Sequence, residues 1–254
     1  MVGDSHAALY GHGVRAPGTV KATYGTGTSL MTLTADRLAG GKALSSTIAW
    51  STIATGVVYA LEGNISVSGQ ALAFMGSLLG IEEPAMVAEL ATTVPDSNGV
   101  VFVPALVGLG APHWDPEARG IVSGLSLGTT QAHLARAAVE AIAFQVADVF
   151  TAMEADLGHP LKTLSADGGA ARNDQLMQFQ ADMIDWPVMR ADLAEVSAVG
   201  AAMLAAGGLG RPMKLDRQEP REFLPTMPVE RRRGALLSWQ TAVRSARSSN
   251  QAAD

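Results

Sequence analysis

"VKATYGTGTSLMTLT", residues 20–34, sets two runs rich in threonine, leucine and other strand-favouring residues around the centre Gly25-Thr26-Gly27-Thr28. β-branched and aromatic side chains suit a pleated backbone and glycine lets the chain reverse, so the stretch reads as a β-hairpin. The same glycines let a ligand come close to the backbone, where N–H groups and threonine hydroxyls can donate to phosphate oxygens. A plain hairpin turn uses the same residues. The local pattern therefore leaves a phosphate turn and a structural turn both open.

Upstream, a short helix fits from Asp4 to about Tyr10, stopped by Gly11 and Gly13. Asp4 is a carboxylate able to take the proton of a hydroxyl that attacks a phosphate, and equally an ordinary helix N-cap. Downstream, residues 46–53 and 57–63 read as further strands, which makes an antiparallel start to a sheet. Residues 103–120 (VPALVGLGAPHWDPEARG) are too rich in Gly and Pro for one regular element and too apolar for disorder, so a packed loop is expected.

Helical periodicity then takes over. Ala135, Val139, Ile142, Val146, Val149 and Met153 fall on one face of a long helix over residues 130–157, ended by Gly158 and Pro160. "LKTLSADGG" reads as a strand running into a glycine turn, and Asn173 as the cap of a helix whose apolar face is Leu176, Phe179, Met183 and Ile184. "WPVMR" is a short strand, and "SAVGAAMLAAGG" a helix of small residues suited to tight packing. Strands first, then helix and strand in alternation, predict a mixed α/β domain.

"DGGAARND", residues 167–174, is a second candidate site. A strand, a glycine turn and a helix N-terminus aim backbone donors and the positive helix end at one point, which suits a nucleotide or simply closes a tight βα turn. The dinucleotide spacing G-x-G-x-x-G is missing. "AGGKALS", residues 39–45, is not a Walker A loop, because Ala43 follows Gly41-Lys42 where Ser or Thr is required. His6 and His12 are six apart and share no helical face, so no metal pair is expected. Ser5 and His6 are adjacent and point apart, which excludes a nucleophile and its base.

The chain has 254 residues, 48% hydrophobic and 17% charged, and no cysteine, which rules out disulfides, a thiol nucleophile and Cys-ligated metal. No stretch reaches eighteen uncharged apolar residues and no signal-like segment opens the chain, so the reading is a soluble cytoplasmic protein without a membrane partner. Residues 1–210 carry nine Lys+Arg against nineteen Asp+Glu, a balance that does not attract nucleic acid. Residues 211–254 carry nine against five and include Arg231, Arg232 and Arg233, read as a basic helical tail with either a solvated helix end or a surface for an acidic partner.

Taken in order, "GDSHAALYG", "KATYGTGTSLM", "TIAW", "YALEGNISVSG", "NGVVFVPALVGLGAPHWDPEARG", "DGGAARNDQLMQFQAD" and "SAVGAAMLAAG" resemble the C-terminal half of the FGGY carbohydrate kinases, most nearly their glycerol-kinase branch. The resemblance spans roughly residues 3–210 and implies an actin-like ATPase (ribonuclease-H-like) lobe, a mixed sheet flanked by helices. It implies a nucleotide site at Gly25, Thr26, Gly27, Gly69, Gly168, Gly169 and Asn173, with Thr26 on phosphate and Asn173 toward the adenine. Asp4 falls on the family's catalytic base, and Asp4 with Ser5 on the substrate contacts. The implied reaction is ATP-dependent phosphorylation of a sugar or polyol hydroxyl.

Ser5 stands where glycerol kinases have a glutamine that touches the polyol, so a larger sugar or polyol is expected. Ala73 stands where the family tends to have a glutamine near the adenine. The resemblance also implies an N-terminal lobe ahead of Asp4 that carries most sugar contacts and the magnesium ligands, so this chain is expected to supply no metal site. The expected partners are such a lobe, encoded separately, or further copies of the chain. The alternative expectation is a catalytically inactive relative that acts as a nucleotide- or protein-binding module.

Overall fold

The structure is a computed structural model and describes residues 2–38, 43–191, 193, 195–213 and 219–247. The rejected Walker-like stretch lies partly outside it, since residues 39–42 are not among the described ones.

The chain opens with helix α1 (Asp4–Gly11) and then strands β1 (Thr19–Tyr24), β2 (Thr28–Thr34), β3 (Ser45–Thr52) and β4 (Gly56–Ile65). β1 and β2 pair antiparallel with Tyr24 opposite Thr28, which leaves Gly25, Thr26 and Gly27 as the hairpin loop. β4 joins β2 and β3 joins β4, both antiparallel. The expected antiparallel start is present.

Two helices that the sequence reading did not foresee follow, α2 (Gly69–Leu79) and α3 (Pro84–Ala91). Their signals were in the sequence: Gly80 ends α2 in the left-handed conformation, and Pro84 opens α3 at its first turn. Strands β5 (Val101–Val103) and β6 (Ile121–Ser123) form a small separate sheet on either side of the expected packed loop. Inside that loop Asp115 is buried, and its Oδ1 accepts from the amides of Glu117 and Ala118, both at 3.1 Å.

Helix α4 (Gln131–Leu157) matches expectation closely, with all six residues of its expected face buried. Its burial goes further, reaching nearly all round between Ala132 and Phe150. The reason is position: α4 runs between the sheet and α2, α3 and the later helix α5, and its many alanines let those neighbours close in. Each large apolar side chain it hides, such as Ile142 or Met153, stabilises the fold by roughly 1.5–3 kcal/mol.

Strand β7 (Thr163–Asp167) lies parallel to β1 and couples the second half of the chain to the first. After a single 3-10 turn (Ala170–Arg172) comes α5 (Asp174–Ile184), capped as expected by Asn173, whose Oδ1 accepts from Leu176 N at 3.0 Å. Strand β8 (Val188–Arg190), helix α6 (Val196–Gly208), strand β9 (Arg221–Phe223) and helix α7 (Val229–Ala246) complete the chain. The main sheet has the order β3-β4-β2-β1-β7-β8-β9.

The sheet separates two apolar layers. On one face Val20, Ala22 and Tyr24 of β1 pack with α4; on the other, Leu9, Met31, Leu33, Ala49 and Trp50 form a smaller cluster. α1 and α6 cover the second face in backbone contact, because a methyl on Gly200 would strike the Ala7 carbonyl and one on Gly11 the Val196 carbonyl. The small-residue helix therefore finds its close neighbour in α1.

The segment read as a basic tail is built into the fold. β9 extends the main sheet, and α7 buries Trp239, Ala242, Val243 and Ala246 in the larger core. Its three arginines sit at the N-terminal end of α7, where Arg231 and Arg233 are exposed as expected of a solvated helix end and Arg232 is half-buried. Arg231 pairs with Asp96 at 3.0 Å, Arg232 with Asp185, and Arg233 with Glu230 at 3.6 Å.

Candidate active site

The β1–β2 loop and the N-terminus of α2 are laced together by backbone bonds. Gly69 N donates to Gly25 O at 3.0 Å, Ser68 N to Thr26 O at 2.9 Å, and Gly25 N to Gly27 O at 2.8 Å. Gly27 and Gly69 have no room for a side chain, since a methyl on Gly27 would strike Ile65 O and one on Gly69 would stand 2.6 Å from Gly25 O. Thr28 Oγ1 donates to Ser68 Oγ at 2.6 Å and pins the far side. The glycines are thus required by a rigid interlocked bend, beyond what a plain hairpin needs.

Strand β7 ends beside this bend, because it pairs with β1 and sets Thr23 opposite Asp167. Gly168 has φ +95° and packs on the Tyr24 backbone, where a side chain would collide with Tyr24 O and N. Gly169 has nothing within 4 Å of where its Cβ would be, so it presents open backbone.

Two cavities meet at the bend. The larger, about 1150 Å³, is lined by Gly25, Thr26, Gly69, Ala73, Gly169 and Asn173, with its far wall from α3 (Pro84, Ala85, Ala88, Glu89 and Thr92). The smaller, about 290 Å³, is lined by Asp4, Ser5, Thr23, Gly25, Gly27, Thr28, Ser29, Asn64 and Ser197. Gly25 belongs to both. Of the expected nucleotide residues, Gly25, Thr26, Gly69, Gly169 and Asn173 come together in the larger cavity, and Gly27 lines the smaller. Gly168 lines neither, and serves to seat β7 against β1. Sequence reasoning missed the α3 wall, and missed Asn64 and Ser197, which reach the smaller cavity from distant parts of the chain.

Asp4 is exposed in the first turn of α1, while Gly3 holds the N-cap position, so the capping explanation of this aspartate does not apply. Its Oδ1 accepts from Ser5 N at 2.7 Å, leaving the rest of the carboxylate open to the cavity. Ser5 lines the same cavity while His6 turns away to Thr47 Oγ1 at 3.4 Å. His12 is buried, with Nδ1 2.7 Å from Ser165 Oγ and Nε2 3.4 Å from Asp167 Oδ1. Among the described residues no group of three His, Asp or Glu side chains is arranged to hold a metal.

Beneath the cavities the β1 face opposite the main core is polar. Lys21 is fully buried there, and burial pulls its ammonium down to about 8 against the charges of Asp167, Glu62 and Asp4. Burial also opposes the charge of Asp167, but His12, Thr23 and Lys21 together outweigh it and hold that carboxyl below its ordinary range.

The sequence profile of the "FGGY family of carbohydrate kinases, C-terminal domain" matches residues 20–209. The chain is 47% identical over 253 residues to a glycerol kinase of Citrifermentans bemidjiense, covering 96% of this chain and 50% of the relative. It is 45% identical over 255 residues to a glycerol kinase of Acinetobacter baylyi, covering 98% of this chain and 51% of the relative. Among solved structures it resembles Plasmodium falciparum glycerol kinase with ADP, at TM-score 0.88 and 30% identity over 96% of this chain and 50% of that one. It also resembles a xylulose kinase from Rhodospirillum rubrum, at TM-score 0.80 and 28% identity over 95% of this chain and 50% of that one. The chain thus spans about half the length of the curated relatives it matches.

The mixed sheet flanked by helices is the actin-like ATPase arrangement of these sugar kinases. A profile match over three-quarters of the sequence, joined to an interlocked glycine bend between two cavities, places the chain in the FGGY family of carbohydrate kinases, whose C-terminal domain it carries.

Proposed function

We propose that this chain supplies the nucleotide-binding lobe and the general base of an ATP-dependent kinase acting on a sugar or polyol hydroxyl. The observation that carries the reading is the position of Gly25 on both cavities, with Gly169 and Asn173 on one side and Asp4 on the other. A triphosphate whose base end occupies the larger cavity can cross the bend at Thr26 and Gly25 and bring its terminal group to the smaller one. There the Asp4 carboxylate accepts the proton as an acceptor oxygen attacks phosphorus and the bond to the β-phosphate oxygen breaks. The open backbone at Gly169 fits a nucleotide laid close to the main chain.

Magnesium neutralises phosphate charge in such transfers. Asp4 is the one carboxylate lining the smaller cavity among the described residues, so the ion would be held chiefly by phosphates, water and the N-terminal lobe of a complete kinase. The same lobe would close over the site to exclude water and align the acceptor. Ser5, shorter than the glutamine of glycerol kinases, leaves space for an acceptor larger than glycerol.

The test is reconstitution. Purified chain mixed with the N-terminal lobe of an FGGY kinase should consume ATP in a polyol-dependent manner, and Asp4→Asn should abolish the consumption. ATP binding without turnover, with every family lobe supplied, would favour a nucleotide-binding module instead.

A further inference from the structure

Lys21 is a lysine with no exposure at all, on the strand that runs into the glycine bend. A buried ammonium is costly unless it is closely paired. Among the described residues no carboxylate oxygen comes within 4.0 Å of Nζ, and its hydrogen bond to Ser29 O is long, at 3.4 Å. Met31 faces Lys21 across the β1–β2 ladder, so a second apolar side chain would suit the local packing. The neighbouring Ser29 Oγ is also buried without a partner, and Thr23 and Ser29 both line the smaller cavity. Stability of the free fold does not account for a charge at this position.

We propose that Lys21 is the buried cation of the phosphate site, a positioning residue that draws the nucleotide's terminal phosphates onto the bend from beneath. Lys21 lies four residues before Gly25, and its bond goes to Ser29, two residues after Gly27, so the charge sits under both arms of the loop. Low-dielectric surroundings screen such a charge less than solvent screens a surface lysine. The titratable groups that face it are Asp4 of α1, Glu62 of β4 and Asp167 of β7, with His12 of α1 on the far side of Asp167. Burial disfavours the ammonium charge and Asp167, ahead of Glu62 and Asp4, opposes that loss, which gives this carboxylate a part in phosphate binding although it lines neither cavity. The inference rests on the functional reading above.

The experiment is calorimetric titration of the purified chain with ATP and, separately, adenosine, from pH 7 to 9.5. ATP affinity should hold to about pH 8 and fall above it as Lys21 loses its proton, while adenosine affinity stays level. Lys21→Met should weaken ATP about tenfold at pH 7 and leave adenosine unchanged, because an uncharged ligand gains nothing from the ammonium. Asp167→Asn should move the fall in ATP affinity to lower pH; the native pH series and this variant carry the test should Lys21→Met not fold. Equal losses for ATP and adenosine, or ATP binding indifferent to Lys21 and to pH, would overturn the inference alone. A native chain that binds neither ligand would overturn the functional reading and this inference together.

Discussion

Gly69 and Gly25 touch through their backbones: the Gly69 amide donates to the Gly25 carbonyl at 3.0 Å, and a methyl on Gly69 would stand 2.6 Å from that same oxygen. The start of α2 and the glycine bend are therefore one rigid unit. Gly69→Ala must push the bend aside, costing about 1–3 kcal/mol of stability and weakening ATP by a larger factor than the stability loss alone explains. Urea denaturation and calorimetry on one preparation check both numbers.

Asp4 is exposed and touches only the smaller cavity, so its replacement separates chemistry from nucleotide binding. Asp4→Asn should lower reconstituted turnover about a hundred- to ten-thousandfold, the usual worth of a positioned base. ATP affinity of the chain should stay within about twofold. A variant that loses both equally would deny Asp4 the role of base.

The buried Lys21 gives stability an unusual pH dependence. Its native value of about 8 lies below the ordinary 10.5, so between those values the unfolded chain holds the proton and the native chain does not. Stability of the unliganded protein should therefore rise with pH through that window, by roughly 2–3 kcal/mol from pH 7 to 10. Below pH 8 both states are protonated and the burial penalty is fully present. Burial raises the Tyr24 hydroxyl well above its usual range, which acts in the opposite direction once unfolded tyrosine ionises above about pH 10. Urea midpoints measured at pH 7, 8, 9 and 10 should climb for the native chain and stay level for Lys21→Met.

Trp239 tests whether α7 belongs to the core. It stacks on Phe144 at 5.2 Å between ring centroids and donates through Nε1 to Asp148 Oδ2 at 2.8 Å, an oxygen that His113 Nε2 also approaches at 3.0 Å. Trp239→Ala should cost about 3–5 kcal/mol, as large cavities do, and Trp239→Phe about 1–2 kcal/mol because the ring stays and one hydrogen bond goes. A detachable tail would show neither loss.

Much of the architecture was legible because it depends on short-range rules. The hairpin at Tyr24 and Thr28, the cap at Asn173 and the six-residue stripe of α4 follow from turn chemistry, capping and periodicity, all of which act within a few residues. Helices α2 and α3 were missed because their apolar residues lie among many small ones, so no clean stripe appears over such short lengths. For the basic helix Arg231 and Arg233 are exposed as expected, but charge counting could not show that Trp239, Ala242 and Val243 on the same helix enter the main core.

By itself the sequence determined where the hairpin, the Asn173 cap and the long helical stripe lie, and which residue types were on hand for a phosphate site, because these are properties of a few neighbouring residues. Only the tertiary structure decided which of them share a space. It set Gly25 between two cavities, brought Asn64 and Ser197 beside Asp4, and withdrew Gly168 into the packing of β7 on Tyr24. It also turned Lys21 inward, beneath the bend. The physical reason is that a side chain's surroundings are fixed by strand pairing and helix packing between segments far apart in the chain, which no local pattern records.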